Sequence, residues 1–521
     1  MAVAVRVLAG TYHDSVKLMR IAAEASGAPG VRLAIAVLGS PMNREQLDGA
    51  GLLAGEAKGA GPNDLVLAVE AADEETAAGA LAGMEEALRA APATSGGGGP
   101  GDLPAPTLEA ALGGDPGINL ALLSIPGEHV RREAERALRK GLHCLIFSDN
   151  VPLADEVALK EMARARGLLL MGPDCGTAHI GGVGLGFCNV MRAGPIGLAG
   201  ASGTGLQEAM AAIDAAGGGI RCALGTGGRD ISDAVGGMAM VDAIKTLAAD
   251  GGTEALLVLG KPPGPRAMEA VLGALARSGK PAVVHFVGAP VEALERSLPE
   301  GGGITAAATL AEAGVRAACL AEGREPPPPP DAPGDLLAAV SAWGRRRGPG
   351  RGFLRGLYTG GTLCAEAQAL LGPEFGPIRS NAPLEKKNAL ADPEVSEGHT
   401  AVDLGEDFFT RGRPHPMIDP APRGARILQE AKDPEAAVVL LDVVLGLGVH
   451  PDPAGEAARA VREALAARPD LLFVAAVTGT GGDPQGLEGQ RGALREAGAL
   501  VAPTHAQACL LAGAALRECA S

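Results

Sequence analysis

Aromatic residues are scarce in this chain of 521 residues, which has one Trp, two Tyr and eight Phe. Proteins that bind nucleic acid stack bases on aromatic side chains and follow the phosphates with basic residues. Basic residues are outnumbered here, with 45 Lys and Arg against 61 Asp and Glu, and their one run of three is Arg345–Arg347. We therefore expect no nucleic-acid partner.

Membrane spans and disulfide frameworks are also missing from the sequence. No apolar stretch approaches the roughly 20 residues that a membrane-spanning helix needs, and the N-terminus lacks the charged and apolar regions of a signal peptide. The eight cysteines stand at scattered positions with no Cys-x-x-Cys pair. Such spacing is typical of reduced thiols that pack as small hydrophobic groups. We therefore expect a cytoplasmic protein with no membrane partner.

What the chain has in quantity is aliphatic residues and glycine. Hydrophobic residues make up 47% of the sequence, and glycines number 78. Short runs of Val, Leu and Ile alternate with Ala, Glu and Arg segments of helical period, which is typical of β-α-β units. The fold class is therefore α/β with parallel sheets. A length of 521 residues exceeds what one hydrophobic core usually supports, so several domains are expected.

Two segments rich in Pro and Gly divide the sequence. The first spans residues 93–106, and the second spans 324–350 and contains the run Pro326–Pro330 and the Arg345–Arg347 cluster. We expect both to be linkers because neither composition favours a packed core. The α/β regions between them are predicted at 1–92, 107–193, 194–323 and 351–521.

One glycine-rich turn has the composition of an anion site. Gly200-Ala201-Ser202-Gly203-Thr204-Gly205 follows a predicted strand and opens a predicted helix. The first amide groups of a helix have no partner within it and the helix dipole is positive there, so such a turn binds anions. Ser202 and Thr204 add hydroxyl donors, although either also suits a helix N-cap. Similar turns after other predicted strands, at 172–177 and 225–230, strengthen the prediction of a phosphate, carboxylate or nucleotide ligand.

The sequence motifs for nucleotide binding are weaker than those for an anion site. No P-loop motif Gly-x-x-x-x-Gly-Lys-Ser/Thr occurs, so we predict no ATP site on this chain. The turn after the first predicted strand, Gly10–Ser15, has a single glycine and departs from a dinucleotide-binding loop. Thr11, Ser15 and Gly39 are the residues that we predict for contact with a cofactor, should one bind there.

Cys175 lies in the glycine-rich turn at 172–177. A thiol beside a helix start is acidified and becomes a nucleophile, whereas a thiol packed in a tight turn is inert. The sequence leaves both interpretations open.

The segment 403–419 places Asp403, Arg413 and His415 in a proline-rich stretch that favours neither helix nor strand. Loops of this kind on a rigid scaffold often form sites, so we predict a role in ligand binding or subunit contact. Metal ligation through Asp403, His399 and His415 lacks the close spacing of a metal motif, and no metal site is predicted.

Several of these motifs resemble known enzymes. Gly172–Gly176, the turn from Gly197 to Thr204 and the turn Gly225–Gly228 are similar in order and spacing to the α subunit of succinyl-CoA synthetase. Leu441–Gly446 and Val477–Thr480 resemble the ligase domain of its β subunit. Across nearly the whole chain the sequence most resembles the FdrA family of acyl-CoA-synthetase-like proteins, in the segments Asp14–Met19, Phe147–Val151, Met171–Thr177, Leu357–Leu363 and Gly412–Pro420.

The resemblance implies a fold for each region. A Rossmann-like domain of the CoA-binding type would begin in residues 1–92 and be completed in 107–193. Flavodoxin-like ligase domains would follow, one similar to the synthetase α subunit at 194–323 and one similar to the β subunit at 351–521.

The resemblance also implies site residues. In the synthetases a "power helix" from each subunit points its N-terminus at the transferred phosphoryl group. Ser202, Gly203 and Thr204 would begin one power helix, and Gly446, with Gly448 beside it, would begin the other. The residues implied to line the same pocket are Cys175, Gly176, Gly227 and Gly228.

Two departures from the synthetases change the expected reaction. Their phosphorylated histidine loop is missing, because Gly288-Ala289-Pro290 leads to a helix without histidine. Lys261 stands where they carry the glutamate that supports that histidine, and no ATP-grasp domain is present.

Members of the FdrA family resemble a subunit of an oxamate carbamoyltransferase, which exchanges a carbamoyl group between oxalurate and phosphate in purine breakdown. Lys261 or Arg229 would then neutralise the carboxylate of the substrate.

Three functions stay open at this point. The first is a carbamoyl-transfer subunit that binds carbamoyl phosphate with oxamate or oxalurate and works with other protein subunits. The second is a CoA-binding relative of the acyl-CoA synthetases that recruits an ATP-grasp partner. The third is a non-catalytic sensor or scaffold that keeps the anion pocket. A homodimer is expected in each case, since pseudo-symmetric domains of this kind often pair.

Overall fold

The computed structural model describes residues 2–11, 13, 15–39, 43–44, 47–48, 50–89, 105–299, 301, 303–347, 352–411 and 414–520. The chain divides into two compact units. The first is Met1–Pro106 with Phe409–His415, and the second is Thr107–Phe408 with Pro416–Ser521. Both contain helices and strands, which confirms the α/β class.

The first unit is a three-stranded sheet with helices. Its elements are β1 (Ala2–Leu8), α1 (Ser15–Ser26), β2 (Val31–Leu38), a 3-10 turn (Gly55–Gly59), β3 (Leu65–Ala71) and α2 (Glu74–Arg89). The order is β1-β3-β2, and β3 runs antiparallel to both neighbours. The predicted parallel pairing of this region is therefore wrong. The β-α-β crossover is present, but β3 inserts between its two strands, and hydrophobic periodicity carries no information on strand direction.

The second unit holds the rest of the elements. Its helices are α3 (Leu108–Gly114), α4 (Gly127–Arg139), α5 (Leu153–Ala165), α6 (Gly203–Ala215), α7 (Met238–Ala249), α8 (Pro265–Ser278), α9 (Val291–Ser297), α10 (Leu310–Ala321), α11 (Gly334–Arg347), α12 (Gly361–Phe375), α13 (Asp407–Thr410, which continues into the first unit), α14 (Ala421–Glu430), α15 (Pro453–Ala467), α16 (Leu487–Glu496) and α17 (His505–Ala520), with a 3-10 turn at Lys386–Asn388. Its strands are β4 (Leu120–Leu123), β5 (His143–Ile146), β6 (Leu170–Met171), β7 (Thr177–Ile180), β8 (Val183–Gly186), β9 (Ala193–Gly200), β10 (Ile220–Gly225), β11 (Ala255–Gly260), β12 (Ala282–Phe286), β13 (Ile304–Ala306), β14 (Phe353–Tyr358), β15 (Thr400–Asp403), β16 (Ala436–Val444), β17 (Leu472–Thr478) and β18 (Leu500–Ala502).

The strands β4, β5 and β6 form a small parallel sheet of their own. They were expected to complete a Rossmann-like sheet begun in residues 1–92. Among the described residues they pair only with one another, while β1–β3 form a separate antiparallel sheet. The two segments therefore do not share one sheet.

Two larger sheets repeat one topology. The order β13-β12-β11-β9-β10 in the first, which β7 and β8 extend, matches β18-β17-β16-β14-β15 in the second. Numbered along each domain, both read 2-1-3-4-5, which is the flavodoxin-like order, and all of these pairs are parallel. The predicted flavodoxin-like ligase domains are confirmed. In this order the ligand crevice lies between the first and third strands, which here are β9 with β11 and β14 with β16.

One hydrophobic cluster joins the two ligase sheets. Leu206 and Met210 of α6 belong to the same buried cluster as Leu363 of α12 and Leu511 of α17. Burial of such aliphatic side chains contributes about 1.5–3 kcal/mol each, so the shared cluster stabilises the pairing of the two domains.

The segment Gly334–Arg347, which was predicted to be part of a linker, is the helix α11. Its apolar residues Val340 and Trp343 are buried, and the Trp343 indole N–H donates to the carbonyl of Asp470 at 2.8 Å. Composition alone did not predict this helix, because the basic residues at its end and the prolines before it are typical of a linker.

The cysteines of the structure are free thiols. Cys222 is half-buried and the others are buried, in agreement with the expectation of packed, reduced thiols. Within the described residues, no helix combines the length and the apolar character that crossing a membrane requires.

Candidate anion site

The turn Gly200–Gly205 begins a helix, as predicted. Ser202 is the N-cap of α6, and its hydroxyl accepts from the amide of Gly205 at 2.9 Å. The amides of Gly203 and Thr204 have no acceptor among the described residues, as expected in the first turn of a helix. The N-terminus of α6 therefore offers unpaired donors at the carboxyl end of β9.

A second helix start lies opposite the first, and the sequence analysis did not assign it. Strand β14 ends at Tyr358, and the turn Thr359-Gly360 leads into α12. The carboxylate of Asp442, at the end of β16, accepts from the amides of Thr359 and Gly360, both at 2.8 Å. Asp442 is fully buried beside Arg423, whose guanidinium donates to the Asp442 carbonyl at 2.6 Å. A buried charged pair thus fixes the turn that starts α12.

The two helix starts meet through their hydroxyl side chains. Ser202 of α6 is hydrogen-bonded to Thr362 of α12. A Cβ atom on Gly360 would lie 2.7 Å from the methyl carbon of Thr204, so the Thr204 side chain packs directly against the Gly360 backbone and leaves no room for a larger residue there. Thr204 and Thr362 are both more than nine-tenths buried. The two helix starts are therefore in direct contact through Ser202 and Thr362 and through Thr204 and Gly360.

Glycine turns from neighbouring strands lie beside the start of α6. A Cβ atom on Gly203 would lie 3.1 Å from the Thr177 hydroxyl and 3.9 Å from the Cα of Gly176. Gly227 approaches the carbonyl of Pro173 so closely that a side chain is excluded, and Gly228 is exposed beside the Ala201 carbonyl. The predicted pocket residues Gly176, Gly227 and Gly228 are thus brought to the α6 start.

Asp403 and Lys261 bring opposite charges to the site. The Asp403 carboxylate lies directly against Gly361, the first residue of α12, and accepts from the amide of Gly405 at 2.9 Å. Asp403 is 6% exposed, and burial raises its pKa to about 7, although the charge of Lys261 acts in the opposite direction. Lys261 follows β11, is exposed, and has no ion pair among the described residues. A carboxyl whose pKa is raised to about 7 and an exposed ammonium group therefore lie near the start of α12.

Arg229 is held by structural contacts. Its guanidinium pairs with Glu156 at 2.9 Å and donates to the carbonyl of Val151 at 2.7 Å. Glu156 and Asp230 also pair with the buried Lys160, at 2.8 and 2.9 Å. These bonds use part of the guanidinium, so Arg229 is a weaker candidate than Lys261 for a substrate carboxylate.

Cys175 has the environment of a packed thiol. It is buried, and its sulfur lies 3.4 Å from the Gly225 carbonyl and 3.5 Å from the Thr177 carbonyl. Desolvation raises its pKa to about 12, so the thiolate is strongly disfavoured. Of the two interpretations the geometry favours the packed one.

Gly446 does not begin a helix, so the prediction of a power helix there is wrong. The following helix, α15, begins at Pro453 with Asp452 as its N-cap. Gly446 and Gly448 instead pack against the backbone of 186–189, and Leu447 forms a bridge with Cys188. The cause lies in the topology, because Gly446 follows the third strand of its sheet, as Lys261 follows the third strand of the other ligase sheet, whereas each helix start follows the first strand.

The remaining predicted residues lie in the first unit. Gly10 donates its amide to the Asp64 carboxylate at 2.9 Å, the Thr11 hydroxyl donates to the Ala9 carbonyl at 3.2 Å, and the Gly39 amide bonds the Asp64 carbonyl at 2.7 Å. Ser15 begins α1. A carboxylate thus occupies the first turn, which opposes binding of an anionic cofactor there.

The segment 403–419 is divided between the units. Asp403 belongs to the second unit and His415 to the first. Burial lowers the pKa of His415 to about 4, so it is neutral at physiological pH. Arg413 lies outside the described residues.

The missed helix start had a signal in the sequence. Gly203-Thr204-Gly205-Leu206-Gln207-Glu208-Ala209 and Gly361-Thr362-Leu363-Cys364-Ala365-Glu366-Ala367 share the pattern Gly-Thr-x-x-x-Glu-Ala. Both stretches follow the first strand of their sheet. The repeated pattern marks the two facing helices.

We expect Asp442→Asn to destabilise the turn that begins α12. An amide supplies one acceptor where the carboxylate supplies two, and it leaves the buried Arg423 without a counter-charge. Breaking a buried pair of this kind costs about 3 kcal/mol. A fall of several degrees in Tm is expected, together with weaker phosphate binding. Asp470→Asn, which removes a half-exposed partner of Arg468, is the control and should leave both measurements nearly unchanged.

Comparisons with known proteins match three parts of this chain, and the CoA-binding match lies at 191–288 and not in residues 1–193, where the resemblance implied it. The family described as "CoA-ligase" matches residues 357–515, and "CoA binding domain" matches 191–288. The family described as "AllF, heavy metal-associated domain" matches residues 1–103. The "Uncharacterized protein YahF" of Escherichia coli strain K12 is 38% identical over 455 residues, which are 87% of this chain and 86% of that protein. The chain belongs to the FdrA family of acyl-CoA-synthetase-like proteins.

More distant relatives of this FdrA-family chain cover parts of it. The α subunit of "Succinate--CoA ligase [ADP-forming]" from Methanothermobacter thermautotrophicus is 26% identical over 147 residues, and the match spans 28% of this chain and 49% of that subunit. An acetyl-coenzyme A synthetase of Ca. Korarchaeum cryptofilum, solved with phosphate and ADP, aligns with 77% of this chain and 82% of that one, at 15% identity and a TM-score of 0.32. An ATP citrate lyase of Methanothrix soehngenii aligns with 45% of each chain, at 17% identity and a TM-score of 0.36.

The family that matches residues 1–103 is named for its association with heavy metals. The residues of this domain do not fit a heavy-metal ion. Soft metals are held by thiolates, but residues 1–103 contain no cysteine. Across the described residues, no group of three or more His, Cys, Asp or Glu side chains is placed to hold a metal ion.

Proposed function

We propose that this chain binds phosphate between the N-termini of α6 and α12 and serves as a subunit of a carbamoyltransferase that exchanges a carbamoyl group between oxalurate and phosphate. The observation that carries the proposal is the contact between the two helix starts, where Ser202 and Thr362 share a hydrogen bond. Two helix dipoles and several unpaired amides converge there, and both favour an anion. A small substrate phosphate fits this description better than a neutral ligand.

The absence of a histidine carrier supports a phosphate that is itself a substrate and is not delivered by a phosphorylated residue. Strand β12 ends at Phe286, and the turn Val287–Pro290 leads to α9 without a histidine. His285 itself is buried in the strand, and its Nδ1 contacts the Ala307 carbonyl at 2.9 Å. Within the described residues no histidine of this loop therefore reaches the pocket to be phosphorylated.

The proposed reaction requires one bond to form and one to break. An oxygen of hydrogen phosphate attacks the carbamoyl carbon of oxalurate and forms the C–O bond of carbamoyl phosphate. The C–N bond to the oxamate nitrogen breaks, and that nitrogen takes up the proton that phosphate loses. Donors at the two helix starts stabilise the charge on the phosphate oxygens. Asp403, with a pKa of about 7, suits the relay of this proton.

Lys261 is proposed to bind the carboxylate of oxalurate or oxamate. Lys261→Glu reverses its charge and is expected to raise the KM for oxamate at least tenfold, because two negative charges would then meet. The KM for carbamoyl phosphate should change less, since phosphate is held by the helix starts. Lys245→Glu makes the same change on the exposed face of α7 and is the matched control. Equal KM values for oxamate in Lys261→Glu and the wild type would refute this role.

The direct test of the function is to assay the full chain for carbamoyl phosphate. Oxalurate and phosphate are supplied together, and phosphorus NMR detects the product. We propose that further subunits, and a homodimer of this chain, complete the enzyme, so the assay is repeated with a cell extract that lacks this chain as the source of partners. Activity that depends on adding the chain supports the proposal, and identical product with and without it contradicts the proposal.

A second function has specific support from the matches to CoA-binding and CoA-ligase families over 191–288 and 357–515. In that case the chain binds CoA and receives a phosphoryl group from a separate ATP-grasp partner. The two functions differ in their ligands. Tight CoA binding without a response to carbamoyl phosphate would favour this second function.

A further inference from the structure

A buried charged network lies behind the anion site, on the helices that form it. Glu208 of α6 and Glu366 of α12 each stand six residues after the N-cap of their helix, in the repeated Gly-Thr-x-x-x-Glu-Ala pattern. Glu208 is 4% exposed and Glu366 is 2% exposed. Carboxylates are rarely buried this deeply unless they are paired, so both require partners.

Each glutamate caps a helix of the opposite ligase domain. The Glu208 carboxylate accepts from the amide of His505, the first residue of α17, at 3.0 Å. The Glu366 carboxylate accepts from the amide of Leu310, the first residue of α10, at 2.8 Å. The Thr478 hydroxyl donates to the second oxygen of Glu208 at 2.5 Å. The two domains therefore exchange capping carboxylates in a reciprocal pattern.

His505 breaks the symmetry of this exchange. It corresponds to Leu310 in the repeated sequences Ala307-Ala308-Thr309-Leu310 and Ala502-Pro503-Thr504-His505. Its Nδ1 lies 2.6 Å from the second oxygen of Glu366, while its own amide is bound to Glu208. One residue thus contacts the glutamates of both helices.

The imidazole of His505 is fully buried, and its Nδ1 contacts the Glu366 carboxylate. Desolvation opposes the charged form, but Cys509 and the Glu366 carboxylate outweigh it and raise the pKa of His505 well above its usual value. Tyr358, at the end of β14, packs edge-on against the ring with centroids 5.6 Å apart. The ring is therefore fixed by an ion pair on one side and an aromatic side chain on another.

We propose that His505 is a positioning residue that ties Glu208 of α6 to Glu366 of α12 and so holds the two helix starts at the separation that phosphate requires. The proposal rests on the function proposed above. The bridge lies about 9 Å from the N-caps along each helix, at 1.5 Å per residue, so it acts on the site through rigid helices and not by contact with the ligand.

The test uses His505→Leu combined with Glu366→Gln. Leucine reproduces Leu310 at the equivalent position, and glutamine removes the buried charge that would be left unpaired, so the double variant should fold. Calorimetry with inorganic phosphate is expected to give at least tenfold weaker binding. Leu494→Ala is the matched control, because it removes a buried side chain outside this network and lowers stability without touching the bridge.

Amide hydrogen exchange supplies a second measurement that needs no ligand. Peptides that cover 198–208 and 356–366 should exchange faster in the double variant than in Leu494→Ala of equal or lower Tm. Wild-type exchange at both helix starts in the double variant would overturn the positioning role, and so would wild-type phosphate affinity. If the wild type itself binds no phosphate, the proposed function is wrong. The exchange measurement then still shows whether His505 holds the two helix starts in place.

Discussion

Ser202→Asp is expected to weaken phosphate binding strongly while leaving the fold intact. Aspartate is as good an N-cap as serine, so the Gly205 amide keeps an acceptor, and the Thr362 hydroxyl can donate to the carboxylate. The new charge would stand where the phosphate binds. Two like charges about 4 Å apart repel by about 4 kcal/mol at the effective dielectric of a protein surface, so affinity should fall by about 1,000-fold.

The control for Ser202→Asp is Thr107→Asp. Thr107 is the exposed N-cap of α3, and its hydroxyl accepts from the Ala110 amide at 3.1 Å, so this variant adds the same charge to an equivalent cap away from the site. Titration calorimetry with inorganic phosphate is run on both variants after Tm shows that they fold. Unchanged phosphate affinity in Ser202→Asp would show that the anion does not bind at the α6 start.

Asp403→Asn is expected to remove the pH dependence of carbamoyl transfer near neutrality. With a pKa of about 7, the wild-type carboxyl is protonated below that pH and donates to the leaving oxamate nitrogen. The forward rate should therefore fall as pH rises through about 7, and the reverse rate, which needs the carboxylate as a base, should rise. Asparagine transfers no proton, and a loss of about 100-fold or more in kcat is expected, with a flat profile.

The stability of the protein should show the same titration. Asp403 has a raised pKa in the folded state, so its contribution to stability is fully present below its unfolded pKa of about 3.9 and is lost as pH rises through about 7. Tm measured between pH 5 and 8 should accordingly change less in Asp403→Asn than in the wild type. Asp392→Asn, at an exposed position, is the control. A pH-rate profile of Asp403→Asn that keeps the wild-type inflection would rule out the proton-relay role.

The α6 start was predictable because its determinants are local. The glycines, the N-cap serine and the preceding apolar strand lie within a few residues, and each has a physical reason in the sequence alone. The flavodoxin-like order of the ligase domains was also predictable, although through the family resemblance and not through periodicity.

The partner of that helix start was not predictable in the same way. Locating α12 opposite α6 requires knowing which strand is first in its sheet, and the turn at Gly446 has the same local pattern because it also follows a buried strand. Asp442 and His505 act through contacts 82 or more residues away along the chain, which no local pattern contains. The antiparallel direction of β3 in the first unit was missed for a related reason, since alternating hydrophobicity is the same in both directions.

Calorimetry of the full chain with inorganic phosphate, carbamoyl phosphate and CoA, each titrated separately, tests the central claim most directly. The facing starts of α6 and α12 predict that phosphate and carbamoyl phosphate bind, compete for one site, and lose affinity together in Ser202→Asp. CoA binding in the absence of any response to either phosphate ligand would contradict the account.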